Sequence, residues 1–142
     1  MLQIRSILHP TDFSPLARRA FEVACSLAQD YKARLVLLHV HEPPPTVGEL
    51  VEIEPPDIRE FLLRDLHGLA TPADVTVEHR LEVGSVAEGI LCVAAETKSD
   101  LIVIGTHGRS GLGRVLLGSV AESVLRKAPC MVLTVKGEAR AS

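Results

Sequence analysis

The sequence predicts an α/β fold built on an open parallel sheet with helices on both faces. Five short apolar runs, "IRSIL", "ARLVLLHV", "VTVEHRLEV", "LIVIG" and "CMVLTV", alternate with stretches of helical periodicity. Two of them, "LVLLHV" and "LIVIG", are apolar almost throughout, as parallel strands must be when helices cover both sides. With 142 residues, 46% of them hydrophobic, the chain suits one compact domain spanning 1–142.

After the first strand, Ser14 is placed to cap and Pro15 to open a helix whose apolar face reads Ala17, Ala20, Phe21, Ala24, Leu27 and Tyr31. The second strand runs into "HEPPPTVGELVEIEPP", residues 41–56, which holds five of the nine prolines and reads as an exposed connection. Asp57 then starts a helix with Ile58, Phe61, Leu62, Leu66 and Leu69 on one side. "VTVEHRLEV" alternates apolar and polar residues and belongs at a sheet edge. "SVAE" opens the third helix as a capping box of Ser85 and Glu88. The fourth helix presents Val120, Ala121, Val124, Leu125 and Ala128 and stops at Pro129. "CMVLTV" is apolar on both faces and close to the end of the sequence, which marks it as an edge strand open to pairing.

Composition excludes several functions. A formal net charge of −3 and four scattered aromatics, Phe13, Phe21, Tyr31 and Phe61, argue against nucleic-acid binding. Cys25, Cys92 and Cys130 are odd in number and far apart, which fits neither a disulfide framework nor a zinc site. "MLQIRSILHP" lacks a signal-peptide layout and no apolar run approaches the roughly 20 residues that span a bilayer, so a cytoplasmic location without membrane contact is expected. His39 and His41 lie on one strand face beside Glu42, but two histidines at this spacing without a third ligand are a weak metal motif, and no protein-made metal site is expected.

The chemistry-bearing stretch is "GTHGRSGLGRVLLGS", residues 105–119, with five of the ten glycines. It follows a buried strand and leads into a helix. Glycines let backbone amides approach an anion, and a helix N-terminus adds partial positive charge. Residues 101–121 contain His107, Arg109 and Arg114 and no acid, in keeping with a phosphate site, although either arginine reads equally well as solvated. The P-loop pattern is absent, since no Gly-Lys pair occurs. A Rossmann dinucleotide site is excluded too, because the loop precedes the last strand. In open α/β sheets ligands sit beyond the carboxyl ends of strands where the strand order reverses, so "HPTDFS" after the first strand is the natural partner loop. There Asp12 reads either as an acceptor for a ribose or base, or as a second capping residue near Ser14.

These residues carry a resemblance. Gly105-x-x-Gly108, nine residues, then Gly118-Ser119 reproduces G-x2-G-x9-G-[ST], the ATP-binding signature of universal stress proteins, and "HPTDFS" and "LLGSVAESVLRKAPCMVLTV" resemble that family's first-strand and C-terminal stretches. The resemblance implies a five-stranded sheet in the order 3-2-1-4-5, Rossmann-like and similar to the adenine-nucleotide alpha-hydrolases. Carried over by position, it implies Pro10, Thr11 and Asp12 at the ribose and adenine, with the Val40 backbone recognising the adenine. Ile104 and Gly105 would pass beneath the nucleotide, His107, Gly108 and Arg109 would reach its phosphates, and Gly118, Ser119 and Val120 would close the helix side. It further implies ATP, ADP or AMP as ligand, magnesium or manganese held through the phosphates, and a homodimer paired through residues 130–135. The segment 41–56 departs from the family pattern.

Two functions remain open at this level. One is a nucleotide-dependent signalling module in the stress response, favoured because the phosphate cradle carries no evident catalytic group. The other is a slow ATP hydrolase, in which Asp12 would position water and His107 act as acid or base.

Overall fold

The structure, a computed structural model, describes residues 1–44, 55–106 and 118–136. Five parallel strands, β1 (Ser6–Pro10), β2 (Arg34–His41), β3 (Val77–Val83), β4 (Leu101–Gly105) and β5 (Met131–Val135), form one sheet in the order β3-β2-β1-β4-β5. Four helices connect them: α1 (Pro15–Tyr31), α2 (Ile58–His67), α3 (Val86–Glu96) and α4 (Ser119–Lys127). The order reverses between β1 and β4.

Alternation along each strand divides the core. Ile7, Leu35, Leu37, Leu101 and Val103 face α1 and α2, whereas Leu8, Val36, Leu38, Ile102 and Ile104 face α3 and α4. Both faces of the central strands are therefore dry, as their apolar runs require.

The α1 helix begins as the sequence predicts. Ser14 is extended and its Oγ accepts from the Ala17 N–H at 3.2 Å, with Pro15 in the first turn. Its buried stripe is Ala17, Ala20, Ala24, Cys25 and Ala28, residues small enough to bring the helix close to the sheet, and Phe21 and Leu27 flank it. Tyr31 departs from the expected face: it closes the last turn, 40% exposed, where Lys32 turns left-handed (φ 55°) and reverses the chain.

The Ser85–Glu88 capping box does not close. Ser85 occupies the N-cap of α3 without a side-chain cap bond, and only its carbonyl engages the helix, accepting from Gly89 N–H at 2.9 Å. Asp57 likewise precedes α2 without a side-chain cap bond. Phe61 and Leu125, expected on buried faces, are exposed at the margins of short helices whose central contacts are Leu66 in α2 and Ala121 and Val124 in α4. Both predicted edges are edges: β3 is half-buried along most of its length, and β5 leaves Met131 and Leu133 exposed.

Candidate functional site

The reversal between β1 and β4 opens a cavity of about 400 Å³ at the carboxyl ends of the strands. The β1–α1 loop, the ends of β2 and β4, and the first turns of α1, α3 and α4 build it.

The β1–α1 loop is held by its own short side chains. Thr11 N–H donates to Leu38 O at 2.8 Å and ties the loop to β2. Thr11 Oγ1 accepts from Phe13 N–H at 3.0 Å, and Asp12 Oδ1 accepts from Ser14 N–H at 2.9 Å. These two bonds bracket Phe13, which sits in the left-handed region at φ 63°, a conformation that costs a non-glycine residue energy and persists because its surroundings impose it. Asp12 thus braces the turn ahead of the Ser14 cap and is one of the residues lining the cavity.

His39 completes the brace. Its Nδ1 lies 2.7 Å from Thr11 O, so the hydrogen is on Nδ1, and the Phe13 ring stands against the imidazole with centroids 4.7 Å apart. His39 therefore supports the loop, and no group of three or more His, Cys, Asp and Glu gathers among the described residues.

The floor is apolar, with Val40 from β2, Ile104 from β4, and Val86 and Ile90 from α3. Val40 is 7% exposed because α3 approaches without a side chain at Gly89: a Cβ there would stand 2.9 Å from Val40 Cγ2. At Gly105 an added Cβ would meet Leu16 O at 3.4 Å, so the end of β4 lies directly beneath the first turn of α1. Thr106 follows, buried, its N–H donating to Val135 O at 2.9 Å.

Ser14 through Ala17 at the head of α1, and Val120 and Ala121 at the head of α4, line the cavity. The N-cap of α4 is Gly118, which has no side chain with which to satisfy the first amides. The first amides of a helix and its dipole give such an end partial positive charge.

The structure thus brings together Pro10, Thr11, Asp12, Val40, Ile104, Gly105 and Val120 of the predicted site. Gly118 and Ser119 stand at the start of α4 outside the lining, and His107, Gly108 and Arg109 lie outside the described residues. The sequence reading missed His39, Phe13, Val86, Ile90 and Thr106. His39 owes its place to the β1–β2 register, Pro10 opposite Leu38, which carries Thr11 beside it and has no signal in the sequence.

An open parallel sheet with a cleft between two diverging strands, lined by the N-terminal turns of three helices, places the molecule in the doubly wound, Rossmann-like class. The chain belongs to the universal stress protein family, whose profile matches residues 3–136. It is 35% identical over 139 residues to a universal stress protein of Methanocaldococcus jannaschii, covering 93% of this chain and 82% of that one. Among solved structures, universal stress protein UspA from Lactobacillus plantarum superposes with a TM-score of 0.75 at 26% identity, over 95% of this chain and 99% of that one. A universal stress protein in complex with cAMP superposes with a TM-score of 0.70 at 25% identity, over 95% and 98% of the two chains.

Proposed function

We propose that this universal stress protein binds adenine nucleotides, ATP, ADP or AMP, in the cavity between β1 and β4, and that occupancy serves a stress-response or signalling role rather than rapid turnover. The observation that carries the reading is the polarity of the cavity. Asp12 lines one wall, Val120 and Ala121 in the first turn of α4 line another, and an apolar floor of Val40, Ile104, Val86 and Ile90 lies between them. A nucleotide asks for these three environments: acceptors for ribose hydroxyls, a flat apolar seat for a base, and backbone amides for phosphate. The cAMP complex of a family member supports an adenine ligand in this fold.

In this reading Pro10, Thr11 and Asp12 border the ribose and adenine, and the Val40 backbone recognises the base edge. Ile104 and Gly105 lie beneath the nucleotide. His107, Gly108, Arg109, Gly118, Ser119 and Val120 surround the phosphates, where G-x2-G-x9-G-[ST] supplies amides. A triphosphate brings magnesium or manganese with it, the metal held chiefly by phosphate oxygens and water, consistent with a cavity to which Asp12 contributes the carboxylate.

The same proposal places the protein in the cytoplasm as a homodimer joined along β5, where Met131 and Leu133 are 45% and 38% exposed on an unpaired edge. No helix among the described residues is long and apolar enough to cross a membrane.

Calorimetric titration with ATP, ADP and AMP tests the site. Gly118→Val adds a branched side chain at the head of α4 and is expected to abolish or strongly weaken ATP binding. Undiminished affinity in that variant removes the phosphate assignment.

A further inference from the structure

The two strands that flank the cavity part company at Pro10, and the alternation of the ladder explains why. Arg34 N–H donates to Arg5 O and Thr11 N–H to Leu38 O, so the backbone groups of residues 5, 7, 9 and 11 face β2. Those of residues 6, 8 and 10 must then face β4, and Ser6 O does, accepting from Asp100 N–H at 2.8 Å. Pro10 presents to β4 a nitrogen without a hydrogen.

The registers record the consequence. Pairing of β1 with β2 runs on to Pro10 opposite Leu38, whereas pairing of β1 with β4 stops at Leu8 opposite Ile102. Continuing the latter register would point Val103 O at the residue-10 nitrogen. A buried carbonyl left there without a donor would be costly. Instead, His9 Nδ1 lies 2.9 Å from Val103 O. A carbonyl only accepts, so the hydrogen is on Nδ1. The imidazole is fully buried, 5.9 Å from the Phe21 ring, and Nε2 has no hydrogen-bond partner among the described residues.

We propose that His9 is a positioning residue: its side chain replaces the ladder bond that Pro10 cannot make, and so holds β1 and β4 together at the root of the fork while Pro10 keeps them apart above it. Pro10, Thr11, Ile104, Gly105 and Thr106, the residues just past the fork, line the cavity. The His9–Pro10 pair therefore sets the width of the cleft, Pro10 from its lining and His9 from behind it. The link to ligand affinity rests on the nucleotide reading above; the bond itself does not.

The test uses the full chain. In histidine nitrogen NMR at neutral pH, the ring whose signals vanish in His9→Asn should be the Nδ1–H tautomer, the minor form in water. In Pro10→Ala the new backbone N–H takes Val103 O, and the same ring should move toward the Nε2–H tautomer. In urea unfolding, His9→Leu should raise the unfolding constant about tenfold in the native chain and less than about threefold in the Pro10→Ala chain. His9→Asn, which keeps a donor near the Nδ1 position, should recover most of that loss.

With MgATP as probe, His9→Leu should weaken binding at least about fivefold and His9→Asn less than about twofold, since only the lost bond lets the fork move. An Nε2–H ring in the native chain, or equal unfolding effects in both backgrounds, overturns the replacement bond. Unchanged ATP affinity in His9→Leu overturns the positioning role. A native chain that does not bind ATP overturns the nucleotide reading instead, and leaves the tautomer and unfolding experiments to decide this one.

Discussion

Gly89 of α3 lies so close to Val40 of β2 that a methyl group on it would stand 2.9 Å from Cγ2 and 3.0 Å from Cγ1. The helix is seated on the end of the strand through a bare backbone. Val is β-branched and has little rotamer freedom with which to yield. Gly89→Ala should gain roughly 1 kcal/mol of helix propensity and lose about 1–3 to overpacking, for a net destabilisation of about 1 kcal/mol. Urea midpoints measure it. The double variant Gly89→Ala, Val40→Ala should be no less stable than Val40→Ala alone, and equal losses in both backgrounds would contradict the contact.

Acid should unfold the protein partly through His9. Burial pushes its pKa down from 6.5 to about 4, against a smaller upward pull from the Val103 bond and from Asp12. A base whose folded pKa is lowered stabilises the fold fully above pH 6.5. That contribution is lost as pH falls from 6.5 to about 4, where the unfolded chain binds the proton and the folded one does not. The 6.5-to-4 difference corresponds to ~3 kcal/mol. His9→Asn should flatten the stability profile in that window. His79, lowered by burial and by the ring of His67 stacked 3.9 Å away, acts in the same direction, so His9→Asn should retain a residual slope that His79→Gln reduces.

His39→Ala removes both the 2.7 Å bond to Thr11 O and the ring contact with Phe13. Phe13 is then free to leave its left-handed conformation. We expect a loss of about 1–2 kcal/mol in stability, from one part-buried hydrogen bond and its packing, and weaker nucleotide binding. An ATP titration of His39→Ala that matches the native protein would show that the brace does not matter to the ligand.

The switch reading predicts slow chemistry. Phosphate release from ATP should stay below about 1 per second, the lower end of ordinary enzymes. Asp12→Ala and His107→Ala should change affinity more than turnover. Faster release that either variant abolishes would establish a hydrolase.

Leu133→Lys should give a monomer in light scattering, since it places charge on the exposed β5 edge that the proposed dimer buries. A native protein that is already monomeric at high concentration disposes of the pairing.

The legible part of this molecule is what neighbouring residues decide among themselves. Continuous apolar runs can only be strands buried on both faces, and "LIVIG" is one. Ser14 and Pro15 start a helix because cap and ring act within one turn. The alternation in "VTVEHRLEV" requires a half-covered edge, and β3 has one. Local grammar failed where two partners had to meet: Ser85 and Glu88 satisfy the capping-box pattern yet do not close it, and Tyr31 fits the stripe of α1 yet faces water.

Of the candidate site, the two loops and Asp12 were readable from the residues because the glycines and the strand ends carry a local signature, and the other lining positions among the described residues came from the family resemblance. Registers and close approaches between distant segments left no such trace. His9 bonds Val103 across 94 positions, His39 holds Thr11 across 28, and Gly89 admits Val40. Whether a buried histidine is an acid, a ligand or a substitute for a missing amide hydrogen depends on which carbonyl lies beside it. That is settled only when the parallel strands come together, because the side chain is the same in every case and the partner is supplied by the fold.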